Sequence, residues 1–224
     1  MIANVVFLSQ GTNLNGILGA YYWESDYFEP YQILTHMFMH DNGGFMHILF
    51  NMFALVMFGS QLERVWGAKK FLIFYLACGF GAYALHNFVT YIEIHSALAA
   101  MADVGELDLF VQQGQEHLAN GQNWLGDLGI YNAGLHVPMV GASGAIFGLL
   151  AGFAFLFPNT KLMLLFPPIP VKAKWFVLGY SALELSSGFQ NSPSDSVAHF
   201  AHIGGALVGL IFLLIWQRQK DKFY

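Results

Sequence analysis

Apolar residues in this chain fall in long runs separated by polar stretches. Phe45 to about Gln61, Phe71 to about Tyr91, Val137 to Phe157, Trp175 to Ser187 and Val197 to Trp216 are apolar over most of their length. A helix needs roughly 20 such residues to cross a bilayer. The pattern predicts a membrane-crossing helix over each run, with a short one from Trp175. Met1 to about Gln10 is apolar but too short to span, and it lacks the basic start and small-residue cleavage site of a signal peptide. It is expected to be the outer half of a first span whose beginning is missing, which makes six spans in an all-α membrane domain covering residues 1–224.

The connections differ in character. Gly11 to about Gly44 is rich in aromatics with polar tips (Tyr21, Tyr22, Trp23, Tyr27, Tyr31), which favour the membrane–water boundary. Residues 93–136 form a long insertion of mixed polarity. Within it, Ser96 to Leu118 has amphipathic helical spacing and Asn120 to Asn132 is rich in Gly and Asn. Lys161 to Lys174 is broken by Pro167, Pro168 and Pro170.

Composition sharpens this picture. Of 224 residues, 56% are hydrophobic and only 10% charged, against about 25% charged in an ordinary soluble domain. The single cysteine, Cys78, excludes an internal disulfide and reads as a packed core thiol. The basic residues cluster after the second run (Arg64, Lys69, Lys70), between the fourth and fifth (Lys161, Lys172, Lys174) and after the sixth (Arg218, Lys220, Lys222). Alternate connections of a bundle share a side, so the positive-inside rule puts these three on the cytoplasmic side, with the C-terminus. Most acids fall in the other connections. Span count and orientation agree, although they rest on different residues.

Polar residues inside the spans carry the candidate chemistry, because intramembrane ionisable groups are costly and mark function by default. His47 and Asn51 lie four apart in the second span, Ser143 begins the fourth, Glu184 is towards the outer end of the fifth, and His199 and His202 lie in the sixth. At about 1.5 Å rise per residue they fall in one layer below the outer surface. Gly144, Gly148 and Gly152 recur every fourth residue below Ser143, and Gly205 and Gly209 do so in the sixth span, so these two helices are expected to pack closely. Ser143 by itself reads more readily as a small packing residue than as a nucleophile. With His202 on an apposed helix it becomes a nucleophile with a general base. His47 and Asn51 then add side-chain donors to the Ser143 backbone N–H in an oxyanion hole. Neither residue periodicity nor spacing places a carboxylate to orient His202, so the expectation is a dyad. Glu184 is expected to bond across helices or face a water-filled site without being catalytic. His199 is expected nearer the surface in structural contacts, and His86 as a bonded packing histidine. His36 and His40, four apart, read as loop hydrogen-bonding residues; no metal or organic cofactor is expected.

The motifs resemble the rhomboid family of intramembrane serine proteases. His47-Ile48-Leu49-Phe50-Asn51 is similar to its His-x-x-x-Asn motif, Gly141-Ala142-Ser143-Gly144 to its Gly-x-Ser-Gly motif, and Ala201-His202-Ile203-Gly204-Gly205 to its sixth-span histidine motif. The resemblance covers nearly the whole chain. It implies a six-helix rhomboid-like bundle, Ser143 as nucleophile, His202 as base, and His47 with Asn51 in the oxyanion hole. It also implies transmembrane protein substrates, cut near the outer membrane face after entering laterally past the fifth span and the loop 189–196. The chain departs from the pattern at Tyr31-Gln32, where many members carry Trp-Arg, and in its long insertion before the fourth span. A bacterial plasma membrane suits so short a chain, and no nucleic-acid partner is implied. A client-binding pseudoprotease would have lost Ser143 or His202. A transporter would carry charges deep in several spans and a repeat between halves. A metal-dependent intramembrane protease would carry a ligand motif that is not found here.

Overall fold

The computed structural model describes residues 13–40, 45–101, 107–164, 167–190 and 198–218, with the side chains of 45, 47 and 107–112 excepted. The expected first-span remnant, most of the loop 189–196 and the His47 side chain lie outside the described residues. The protein is mostly helical. In chain order the elements are α1 (Leu14–Leu18), α2 (Gln32–Thr35), a 3-10 turn (His36–Phe38), α3 (Phe45–Ala54), a π-helical segment (Leu55–Gly59), α4 (Ser60–Ala100), α5 (Leu107–Ala119), α6 (Asp127–His136), α7 (Ser143–Leu156), β1 (Lys161–Met163), β2 (Pro170–Lys172), α8 (Ala173–Gln190) and α9 (His199–Arg218). Among the described residues, two stretches are long and apolar enough to cross a membrane: Ile48–Ala100, 53 residues, and His199–Arg218, 20 residues. Gly67, at φ 76° and ψ 159°, breaks the first into two helices. That backbone conformation is open to glycine and strained for other residues.

The contacts divide the chain into two compact units, residues 40–86 with 141–224 and residues 2–39 with 87–140. The first holds every polar residue of the expected layer. Its centre is α7, which is apolar all round and buried at ten of its residues. Helix α9 packs along α7, and α8 packs against both. Glycine is what lets α7 and α9 meet. A Cβ on Gly205 would run into the carbonyl of Gly144, one on Gly148 would lie 3.0 Å from the Gly205 oxygen, and one on Gly209 would lie 3.1 Å from the Gly148 oxygen. Backbone contact of this kind substitutes for the hydrophobic driving force that a bilayer cannot supply between helices. Cys78 is buried and free. At the far end of α9, Trp216 meets Trp66 edge-on at 5.4 Å, and Phe74 lies 4.9 Å from Trp66. Phe58, Leu150, Phe153, Ala154 and Ala173 make a second core cluster beside them.

The run from Val137 to Phe157 is not one helix. Helix α7 starts only at Ser143, and Met139 lies in extended backbone, bridged to Ala20 with N–H···O distances of 2.8 and 2.9 Å. Pro138 and Gly141 account for the late start: proline carries no N–H for a helical bond, and Gly141 sits at φ 121°, outside the helical region. Between α7 and α8, the proline-broken segment closes as a hairpin. Lys161 faces Lys172 and Met163 faces Pro170, and proline is tolerated there as the first residue of a short strand.

In the second unit, α4 runs on to Ala100, beyond the expected end near Tyr91, so residues 96–100 belong to α4 and not to the predicted amphipathic helix. The Gly- and Asn-rich stretch runs into helix α6, which packs on α5. Asn132 Nδ2 donates to Asn123 Oδ1 at 2.9 Å and to the Gly114 carbonyl at 3.3 Å. Asn132 thus ties α6 to α5 and to the connection between them. The aromatic connection is tied by Gln32. Its amide donates to the carbonyls of Ile17 and Tyr27 and accepts from the N–H groups of Tyr21 and Glu29. Tyr21 and Tyr22 are buried, whereas Trp23, Tyr27 and Tyr31 are exposed.

Candidate active site

Ser143 is the first residue of α7. Gly141 turns the chain into the helix, and the N-capping position is Ala142, which has no side chain to bond the first turn. Ile146 N–H bonds the Ala142 carbonyl at 3.0 Å, so the helical ladder begins there. The N–H groups of Ser143 and its next neighbours precede that ladder and point out at the positive end of the helix dipole. An oxyanion placed beside Ser143 would meet those donors.

His202 comes to this point from α9. Its Nε2 lies 2.9 Å from Ser143 Oγ. Fifty-nine residues separate the two in sequence, and the meeting of the Gly144 and Gly205 backbones brings them together. The imidazole is buried and stacks on Phe147, one helical turn below Ser143, with centroids 4.3 Å apart. Phe147 in turn touches Tyr180 of α8 at 4.8 Å.

The sequence offers no carboxylate beside His202, and the structure has one there. The Nδ1–H groups of His202 and His199 both donate to the same oxygen, Oε2 of Glu184, each at 2.7 Å. Glu184 does bond across helices, as expected, and what it bonds is the candidate base. The sequence concealed this because Glu184 stands on a separate helix, 18 residues before His202, with no shared periodicity. A weak signal was present: Tyr180 and Glu184 are four apart on α8, and Ser143 and Phe147 four apart on α7, so each pair shares a face. Neither Phe147 nor Tyr180 was singled out from the sequence.

Asn51 is buried on α3, which packs against α7. His47 lies on the same helix. His36, in the second unit, is buried and its Nδ1 donates to the Gln32 carbonyl at 2.9 Å, the loop hydrogen bond expected of it. Glu184, His199 and His202 also present ligand atoms within 4.8 Å of one another. Their 2.7 Å oxygen–nitrogen separations are hydrogen-bond distances, shorter than the ~3.3 Å between ligands on a tetrahedral zinc.

Comparison with known proteins adds an independent line. The family model described as Rhomboid domain matches residues 27–105 and 109–219. The RHOMBOID-like protein 12, mitochondrial, of Arabidopsis thaliana is 29% identical over 194 residues, 85% of this chain and 47% of that protein. The Rhomboid protein 1, mitochondrial, of Saccharomyces cerevisiae is 28% identical over 80% of this chain and 40% of its own length. The Rhomboid protease AarA of Providencia stuartii is 28% identical over 80% of this chain and 53% of its own. The chain thus spans about half the length of these relatives.

Proposed function

The chain belongs to the rhomboid family of membrane proteins, and from that premise we propose that it is a serine endopeptidase acting within the bilayer on transmembrane proteins. One observation carries the reading: a serine hydroxyl and an imidazole nitrogen 2.9 Å apart, at a helix N-terminus. His202 Nε2 takes the Ser143 proton as Oγ attacks the scissile carbonyl. The Ser143 backbone N–H, with the side chains of Asn51 and His47, receives the oxyanion. Collapse of the tetrahedral intermediate returns the proton from His202 to the leaving amine and leaves an acyl-enzyme on Ser143. A water, deprotonated by the same imidazole, then releases it. No cofactor enters these steps. The close approach of Gly144, Gly148, Gly205 and Gly209 sets the distance between nucleophile and base.

The wider arrangement is six spans, with the catalytic layer towards the outer face and the C-terminus cytoplasmic. The grouping of Arg64, Lys69, Lys70, Lys161, Lys172, Lys174 and Arg218 supports it. Substrate enters laterally beside α8, the helix that supplies Glu184 and Tyr180. A bacterial plasma membrane is the proposed location; by name the relatives include both bacterial and mitochondrial proteins.

The test is cleavage of a tagged transmembrane substrate by the purified chain in liposomes, run with a fluorophosphonate probe. Wild type is expected to cut and to label, and Ser143→Ala and His202→Ala to lose at least about 10³-fold in rate. A Ser143→Ala variant that still cuts at the wild-type rate overturns the mechanism.

A further inference from the structure

We propose that Glu184 is a positioning residue for His202, so that the site works as a line of Glu184, His202 and Ser143 instead of an isolated serine–histidine pair. The inference rests on the protease reading above and deepens it. Three helices contribute one group each: α8 the carboxylate, α9 the imidazole and α7 the hydroxyl.

A carboxylate oxygen only accepts hydrogen bonds. The 2.7 Å contact between Glu184 Oε2 and His202 Nδ1 therefore keeps the proton on Nδ1. A neutral imidazole has one proton, so Nε2 is left with a lone pair, 2.9 Å from Ser143 Oγ. That tautomer can accept the serine proton; the opposite one would aim an N–H at Oγ and could not. When Ser143 Oγ forms its bond to the substrate carbonyl carbon, its proton moves to Nε2 and His202 becomes an imidazolium. The Nδ1 proton stays on His202, and Glu184 gains none. The carboxylate faces the new positive charge across a short hydrogen bond.

Burial makes the contact count. The side chains of His202 and Glu184 are 9% and 8% exposed, so water does not compete freely for either partner. The carboxylate is itself held. His199, three residues before His202, donates its Nδ1–H to the same oxygen at 2.7 Å. Two donors on Oε2 fix the end of a side chain that otherwise turns freely. Phe147 then covers one face of the His202 ring, which leaves the imidazole constrained at Nδ1 and on its face, with Nε2 directed at the nucleophile.

The experiment compares wild type, Ser143→Ala, Glu184→Gln and Glu184→Asp as purified 224-residue chains in liposomes. Gln keeps the shape of Glu but offers an amide N–H, which allows the wrong tautomer. Glu184→Gln is expected to lose about 10²-fold or more in kcat with KM within about twofold, and Glu184→Asp to recover at least about tenfold of that loss. Full kcat in Glu184→Gln beside an inactive Ser143→Ala overturns the positioning role and leaves the protease reading standing. Histidine 15N resonances of the same chains give a readout that needs no activity, and so separate the two ideas if wild type does not cut. His202 is expected as the Nδ1–H tautomer in wild type, shifting towards Nε2–H in Glu184→Gln. An Nε2–H tautomer in wild type overturns the proposal even if the Gln variant fails to fold, as does a tautomer unmoved by the substitution.

Discussion

The imidazole of His202 lies flat on the ring of Phe147, 4.3 Å between centroids and 6° between planes. The two side chains come from different helices, and the contact limits the imidazole to rocking in its own plane. A stacked aromatic pair is worth about 1 kcal/mol beyond burial, which corresponds to roughly fivefold in a rate that depends on ring orientation. Phe147→Leu keeps much of the volume and removes the flat surface. It is expected to lower kcat about fivefold to tenfold while the unfolding midpoint moves little. Unchanged kcat would mean that the bonds at the two ring nitrogens suffice to orient His202.

Gly205 has no room for a side chain, because a Cβ there would collide with the Gly144 carbonyl. Gly205→Ala must push α9 from α7, and overpacking of this kind costs about 1–3 kcal/mol. The same displacement separates His202 from Ser143. Cleavage is expected to fall more than about tenfold along with thermal stability. Gly179 on α8 is the control: a Cβ there meets nothing within 4 Å, so Gly179→Ala should leave both readouts near wild type.

Gln32 joins Ile17, Tyr21, Tyr27 and Glu29 through one buried amide. Gln32→Ala would leave two carbonyls and two N–H groups of the connection without that partner. The expected cost is about 3 kcal/mol, read as a lower unfolding midpoint and faster hydrogen exchange over residues 13–39. Gln32→Glu should not restore it, since a carboxylate cannot donate to the Ile17 and Tyr27 carbonyls.

His36 gives the same connection a dependence on pH. Burial holds its imidazole below the ordinary value of 6.5, against the opposing effect of its bond to the Gln32 carbonyl. The unfolded chain therefore takes up the proton first. The stabilising contribution is complete above about pH 6.5 and is lost as pH falls below it, levelling off once the folded protein is protonated too. Midpoints measured from pH 8 to 5 should decline across that interval, and less so in His36→Gln. An equal decline in both chains would assign the effect to other groups.

Much of the candidate site was legible because its parts repeat at helical spacing. Gly144, Gly148 and Gly152 below Ser143, the pair Gly205 and Gly209, and the four-residue step from His47 to Asn51 are local patterns, and each says which residues share a face of one helix. Local patterns do not say where a run stops being helical. The apolar stretch from Val137 looked uniform, yet Pro138, Gly141 and the pairing of Met139 with Ala20 delay α7 to Ser143. That delay places Ser143, the proposed nucleophile, at the helix N-terminus, among open N–H groups.

Sequence by itself determined the helical membrane character of the chain, its family and the identities of Ser143, His202 and Asn51 as candidates, because hydrophobic runs, charge clusters and short motifs are properties of neighbouring residues. Tertiary structure alone decided what surrounds them. Glu184 against His202 and His199, and Phe147 under the imidazole, depend on which faces of α7, α8 and α9 meet. The backbone contacts at Gly144 and Gly205 set how closely two of those faces approach. Periodicity along one helix carries no information about the angular setting of another, so partners that join separate helices appear only when the helices are packed.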